Sequence, residues 1–305
     1  MSGYLSISPE VQQALDARQA VVAFETTILS FGLPSPVNER VGFLCESVAR
    51  EMGAVPATVA ILNGQVRVGL DASAIRYFCS RSPDIAKVNL QNFAAALVSK
   101  RPGAFTVAAS VKACAMAGIR VFATGGIGGV HRGYAETLDI SSDLRALAEY
   151  PVIVVSAGAK SILDVGATLE VLETLGVPVV GYNTDRFPLF FTAESSFELD
   201  QKCDSPEAVA ALARTHFECG GRGMLVVTPV PSEYSLPREE LDRWIVTALE
   251  EASARGVTGK AVTPFLLERL ESLSGGRTLK ANEALIENNA RLASRIAVAY
   301  SRAYQ

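Results

Sequence analysis

An α/β fold with a mixed or mostly parallel central sheet flanked by helices is predicted by two patterns in the 305-residue sequence. Short β-rich runs alternate with longer helical stretches along the whole chain. One of these runs, Val152-Ile153-Val154-Val155, is apolar without a break, as in a parallel strand buried on both faces. A hydrophobic fraction of 49% and a mean hydropathy of +0.24 supply a large core and argue against disorder. With no internal repeat and no low-complexity linker, residues 1–305 are read as a single α/β domain.

Along the chain, Val21-Phe24 reads as a strand, Val37-Met52 as a helix, and Thr58-Leu62 and Val66-Val68 as two more strands. A helix from Asp71 to Cys79, the extended segment Ile85-Val88 and a helix from Leu90 to Lys100 follow. From Thr106 an alanine-rich helix runs to Gly118, and Val121-Ala123 is a strand that opens into a glycine loop. After Val152-Val155, the small-residue corner Ser156-Ala157-Gly158-Ala159 reaches Lys160, and a helix extends from Leu163 to Gly176. Val177-Val180 is a strand, and Ser205-Pro206-Glu207 is a cap-and-proline signal that starts a helix to Cys219. Gly223-Val227 is a strand closed by the turn Thr228-Pro229-Val230-Pro231. The stretches Arg238-Arg255, Pro264-Leu273 and Leu279-Tyr300 are helical.

Charge and composition exclude several classes. The balance of 28 Lys+Arg against 32 Asp+Glu, a net charge of -4 with no basic block, gives no footprint for a nucleic acid polymer. Met1-Ser2-Gly3-Tyr4-Leu5-Ser6 has neither a basic n-region nor an apolar h-segment, and no stretch is long and apolar enough to span a bilayer; a cytoplasmic protein without a membrane partner is expected. Cys45, Cys79, Cys114, Cys203 and Cys219 form no CxxC and read as reduced packing residues. Two histidines, His131 and His216, leave little for a His-rich zinc site, and no Gly-x-Ser-x-Gly elbow follows a strand.

Lys160 ends the Val152-Val155 unit, where packing does not call for an ammonium, so it is either a surface charge or a reagent. Ligands of open α/β sheets sit at the carboxyl ends of strands, and a partly desolvated lysine there forms Schiff bases with carbonyl carbons. Glu25 interrupts the exit of the first strand, a setting that raises a carboxyl pKa and suits a general acid. Lys87, inside Ile85-Ala86-Lys87-Val88, is placed to hold a phosphate or carboxylate, or else a structural ion pair. The loop from Thr124 to Gly133 has neither the dinucleotide nor the Walker A spacing; its glycine amides suit a sugar phosphate, or the loop is only a turn or lid, with His131 at its tip. Asp139 and Asp143 stand four residues apart, on one face if the segment is helical, and suit a hydrated Mg²⁺ or Mn²⁺. The favoured alternative is an N-cap, with Ser141 or Ser142 starting a helix through Leu144-Leu147.

These segments, in this order, resemble the pseudouridine-5′-phosphate glycosidase (indigoidine synthase A-like) family over nearly the whole chain. The likeness is carried by Glu25-Thr26-Thr27-Ile28, Gly53-Ala54-Val55-Pro56-Ala57-Thr58, Ala123 to Gly133, Asp139 to Leu144, Ser156 to Asp164, Thr263-Pro264-Phe265-Leu266-Leu267 and Asn288-Asn289-Ala290. The resemblance implies a homotrimeric α/β enzyme that makes or breaks a carbon–carbon bond between C1′ of ribose 5-phosphate and a ring carbon. It implies Lys160 as the Schiff-base nucleophile, Glu25 as proton donor and Asp139 as ligand of a largely hydrated Mn²⁺ (or Mg²⁺). Lys87, the Val107 amide, Ser141, Ser142 and Asp143 are implied substrate contacts, and Asn282 a residue facing the nucleobase or aromatic ring.

The chain departs from the family pattern beside Lys87 and Glu25. Asn89-Leu90-Gln91-Asn92 stands where Ser-Arg-Arg-Asp is usual, and Phe31 where histidine is usual. Losing charged groups there favours a larger, less polar ring over uracil. The expected function is therefore a C-glycosynthase of natural-product biosynthesis, joining ribose 5-phosphate to an aromatic acceptor. The runner-up is the pseudouridine-5′-phosphate glycosidase itself, with positions 89–92 touching only a subunit interface. A non-catalytic sugar-phosphate-binding protein is the reading from another class. Tyr182 to Pro188 reads as a loop over the site.

Overall fold

In the computed structural model, which describes residues 3–193, 195–257, 259 and 262–302, one eleven-stranded sheet organises the chain. β1 (Leu5–Ile7) and α1 (Pro9–Asp16) precede β2 (Val21–Phe24), α2 (Val37–Glu51), β3 (Val55–Leu62) and β4 (Gln65–Val68). Next come α3 (Ala72–Cys79), β5 (Ala86–Val88), α4 (Phe93–Ser99), β6 (Gly103–Phe105), α5 (Val107–Ala117) and β7 (Val121–Ala123). The middle of the chain forms β8 (Val130–His131), α6 (Tyr134–Thr137), α7 (Ser142–Glu149), β9 (Ile153–Ser156), β10 (Leu163–Asp164) and α8 (Val165–Thr174). It continues through β11 (Val179–Tyr182), β12 (Gln201–Cys203), α9 (Pro206–Glu218) and β13 (Met224–Val227) to α10 (Arg238–Ala254), α11 (Val262–Leu273) and α12 (Arg277–Arg302).

The strand order is β1-β4-β3-β2-β7-β9-β13-β11-β12, with β6 joined to β3 and β5. Every neighbouring pair from β3 to β12 is parallel, whereas β4 and β6 run antiparallel to β3. This is the mixed, mostly parallel sheet that the alternation of runs predicts. β2, β9 and β13 are buried along their whole length, as their unbroken apolar runs require. Ile153, Val154 and Val155 are 0% exposed, and burying each such side chain stabilises the fold by about 1.5–3 kcal/mol. α12 crosses β2, β7 and β9 while packing on α2 and α9.

The differences from expectation have local causes. β3 begins at Val55 although Pro56 reads as a strand breaker. Only β2 pairs with that end of β3, so the missing proline N–H leaves no ladder partner unmet. α4 starts at Phe93, three residues after Leu90, because asparagine side chains capture the turn. The Asn89 amide donates to Asn92 Oδ1 at 2.8 Å and the Gln91 amide to Asn89 Oδ1 at 3.1 Å. β1, β6, β8, β10 and β12 are too short, at two or three residues, to show periodicity. Cys45, Cys79, Cys114 and Cys203 are buried and Cys219 is exposed, all as free thiols. Burial pushes the Cys45 thiol up to about 12. Among the described residues no helix is long and apolar enough to cross a membrane.

Candidate active site

Sheet register brings the first two pieces of the site together. Phe24 stands opposite Ala123 and Ala123 opposite Val155, so Glu25 and Thr124 leave adjacent strand ends side by side. Beyond the sheet, the loops after β7 and β9 keep pairing. The Thr124 amide donates to Val155 O at 3.0 Å, Ala157 to Gly125 O at 2.9 Å, Ile127 to Gly158 O at 3.0 Å and Lys160 to Ile127 O at 3.1 Å. An antiparallel pair, β8 with β10, closes the same two loops further out. Lys160 is thus fixed by backbone bonds on both sides before its side chain does anything.

A cavity of about 340 Å³ opens at these strand ends, within the size range of ligand sites. Glu25, Lys87, Lys160 and Asn282 line it. So do Val107, Asp139, Ser141, Ser142 and Asp143, which places every expected catalytic, substrate-contacting and metal-holding residue on the cavity wall. Lys160 is half-buried, and its Nζ donates to the Gly126 carbonyl at 2.9 Å, which rules out a freely solvated surface charge. Glu25 is 9% exposed, and the Thr124 hydroxyl donates a hydrogen bond to its Oε1. Burial holds the Glu25 carboxyl above its ordinary range and outweighs the opposing pull of the Lys160 ammonium, the Thr124 bond and Lys87. Lysine and glutamate therefore hang from one three-residue stretch, Thr124-Gly125-Gly126.

The glycine loop does different work from the anion cradle read in the sequence. Its Gly126 carbonyl holds the lysine, its Gly128 amide donates to Asp143 Oδ2 at 2.8 Å, and its Val130 amide donates to Thr168 Oγ1 at 2.9 Å. These two amides pin the loop, and two helix N-termini on the cavity wall offer further donors for an anion. Val107 is the first residue of α5 and Ser142 the first of α7, and both helix N-termini meet the cavity that Lys87 also lines. Glycine is needed at 126 because a Cβ there would lie 2.6 Å from the Phe190 ring.

Asp139 and Asp143 are not a pair on one helical face. Leu138, at φ +53°, ends α6, and Ser141 caps α7 by accepting from the Asp143 amide, so the cap reading holds and only Asp143 is helical. Asp143 is 5% exposed, with Oδ1 taken by the Ala108 amide at 2.9 Å and Oδ2 by Gly128, so it braces α5 against the glycine loop. Among the described residues no three His, Cys, Asp or Glu side chains gather as a metal cage. Asp139 alone offers a carboxylate that fits an ion keeping most of its waters. His131, half-buried, also lines the cavity.

Of the positions that depart from the family pattern, Phe31 and Asn89 line the cavity, while Asn92 turns its Nδ2 back to Lys87 O at 3.0 Å. None of Tyr182 to Pro188 lines it; Phe190 does, held at φ +65° and 2% exposed. Sequence reasoning missed Phe190 because nothing in Pro188-Leu189-Phe190-Phe191 advertises a left-handed residue. The sequence marks Thr124 only as the start of a loop and gives Thr27 no role, although Thr27 Oγ1, like Asn282 Oδ1, is buried without a partner among the described residues. A hydroxyl directly after a strand that neighbours an acid-bearing strand was the available signal for Thr124.

Comparison with known proteins gives a consistent picture. Residues 10–299 match the family described as indigoidine synthase A like protein. A pseudouridine-5′-phosphate glycosidase of Paracoccus denitrificans is 50% identical over 98% of this chain and 99% of its own length. One from Myxococcus xanthus is 48% identical, again over 98% and 99%. Among solved structures, the prealnumycin C-glycosynthase AlnA in complex with ribulose 5-phosphate superposes with a TM-score of 0.92 at 36% identity, covering 100% of this chain and 99% of that one. An indigoidine synthase A-like protein of Thermotoga maritima gives 0.89 at 35% identity, covering 98% and 97%.

Proposed function

The chain belongs to the indigoidine synthase A-like family, an enzyme of glycosidic bonds, and from that premise we propose that it is a pseudouridine-5′-phosphate glycosidase, cleaving its substrate to uracil and ribose 5-phosphate. The observation that carries the reading is the joint suspension of Lys160 and Glu25 from Thr124-Gly126 in one cavity. The synthase direction, placed first on the sequence alone, becomes the second reading. Relatives named for cleavage match at 50% identity, whereas the C-glycosynthase neighbour stands at 36%.

A C-glycosidic bond has no heteroatom to protonate as the leaving atom, so the ordinary carboxylate-pair mechanism fails. Lys160 gives its ammonium proton to water, and its amine adds to C1′ as the bond from C1′ to the ring oxygen breaks; the proton then lost by nitrogen ends on that oxygen. The C1′–carbon bond then breaks. Its electron pair takes the Glu25 proton, uracil leaves, and an iminium remains on Lys160. Water adds to C1′, Glu25 carboxylate recovers a proton, and the aldehyde form of ribose 5-phosphate departs from the freed amine. Lys87 and the N-termini of α5 and α7 supply positive potential for the phosphate.

Asp139 would hold Mn²⁺ or Mg²⁺, which when bound neutralises negative charge on the sugar phosphate. Titration of Mn²⁺ by electron paramagnetic resonance is expected to give saturable binding in the wild type and none in Asp139→Asn; equal binding in both would remove this ligand. Assembly as a homotrimer is part of the proposal on family resemblance, and light scattering of the purified chain reads it directly.

The central test is release of uracil from pseudouridine 5′-phosphate, followed by absorbance, with borohydride trapping of ribose 5-phosphate read by intact mass. Turnover with a lysine adduct is the expected result. Phe31, which lines the cavity together with Ile28, Leu163 and Phe190, favours the second reading, in which ribose 5-phosphate is joined to a larger aromatic acceptor. An adduct with uracil ignored and an aromatic acceptor consumed would reverse the order of the two. A protein that only binds the sugar phosphate would give no adduct.

A further inference from the structure

α12 carries Asn289 into the core behind the two reacting groups. The residue is 0% exposed, and its Nδ2 donates to Thr124 O at 2.8 Å and to Gly125 O at 3.2 Å. These carbonyls belong to the stretch whose Thr124 hydroxyl holds Glu25 and whose Gly126 carbonyl holds Lys160. From the other side the stretch is tied by the Val155 carbonyl and the Ala157 amide. Glycines at 125 and 126 leave the backbone between the two tethers without side chains of its own to lock it. Among the described residues the Asn289 side-chain carbonyl finds no partner in its buried position. A residue serving packing alone would do better as leucine, which has the same number and branching of side-chain heavy atoms and buries no unpaired oxygen. Its amide donors are what the loop uses.

We propose that Asn289 is a positioning residue that sets the separation and orientation of Lys160 and Glu25 by clamping the carbonyls of Thr124 and Gly125. The inference rests on the reading of Lys160 and Glu25 as the reacting pair. Without the clamp, both tethers move with the stretch that carries them, and neither the attack on C1′ nor the proton delivery keeps its geometry. Misplacement of about 1 Å lowers rates about 10²-fold. The phosphate contacts, carried by Lys87, α5 and α7, do not depend on this clamp.

The experiment compares Asn289→Leu with Ile296→Ala, a buried control two turns along the same helix. For Asn289→Leu, kcat with pseudouridine 5′-phosphate is expected to fall about 10- to 100-fold while KM stays near wild type. The alkaline limb of its kcat profile moves upward. The Thr124 bond is one of the pulls lowering the Glu25 carboxyl, alongside Lys160 and Lys87 and against Asp143, and loosening it lets the carboxyl rise. Ile296→Ala is expected to lower the melting temperature and leave kcat and its pH limb in place. If Asn289→Leu loses no more activity than Ile296→Ala, the proposal is overturned. Should Asn289→Leu not fold, Asn289→Ala, which removes the same amide donors without adding bulk, makes the same test: a kcat loss with KM near wild type supports the clamp, and wild-type kcat overturns it. Borohydride trapping in the wild type separates the two layers. No adduct removes the Lys160 reading itself, while an adduct with an unaltered Asn289→Leu rate removes only the clamp.

Discussion

Lys160→Ala is expected to release no uracil and to form no borohydride-stable adduct with ribose 5-phosphate. Deleting a covalent nucleophile lowers kcat on the order of 10⁶-fold in well-studied cases, because what survives is binding and electrostatics alone. Here the loss should be of that kind, since neither water nor a neighbouring side chain can replace an amine that must form an iminium. The fold should tolerate the change. Lys160 is half-buried, its side chain gives one hydrogen bond to Gly126 O, and its backbone bond to Ile127 O remains. Lys160→Arg sharpens the result: the guanidinium keeps the charge beside Glu25 but cannot form a Schiff base, so it should be as inactive as alanine. An arginine variant with substantial turnover would mean that the lysine acts through its charge, and the covalent mechanism would fall.

The second large effect belongs to Glu25→Gln. Removal of a positioned proton donor costs about 10²- to 10⁴-fold in rate, and glutamine keeps the shape and can still accept from the Thr124 hydroxyl. Ring release should slow while the iminium between ribose 5-phosphate and Lys160 still forms, so the borohydride adduct persists as turnover disappears. The pH behaviour gives an independent check. Burial raises the Glu25 carboxyl, so its protonated, catalytically competent form lasts to higher pH than for an ordinary glutamate, and activity falls on the alkaline side as that proton is lost. The same shift has a stability consequence. A carboxyl whose folded pKa lies above its unfolded one stabilises the fold fully below the unfolded value and loses that contribution as pH rises through the folded one. The melting temperature of Glu25→Gln should therefore gain on the wild type as pH is raised through that window. A glutamine variant with wild-type kcat and an unchanged alkaline limb would assign the proton donor to another group.

The main features of the site were legible because they follow local rules. An unbroken apolar run ending in small residues and a lysine specifies a buried parallel strand with a cation at its carboxyl end, and the structure has β9 and Lys160 there. A carboxylate at the exit of Val21-Phe24 announced Glu25 in the same way, and Ser141 announced a cap. The bracing role of the glycine loop was not legible. Two of its amides, Gly128 and Val130, donate to Asp143 and Thr168 from distant segments, and no spacing within the loop records that. The helix drawn from Leu90 failed because Asn89 and Asn92 compete for the backbone, an effect weaker than hydrophobic period in a sequence but decisive in a turn.

What the sequence determined by itself is the set of elements and the chemistry available at their ends: which strands are buried, where the amine and the acid leave them, and which residues cap the helices beside them. Tertiary structure alone decided how that chemistry is held. Parallel pairing of β2, β7 and β9 sets Glu25 beside Thr124 and brings Lys160 to Gly126, and α12 reaches across 165 residues of chain to fasten Thr124. Periodicity and capping report interactions within one or two turns of the backbone. Contacts between separate strands and helices depend on register and packing, which no local window contains.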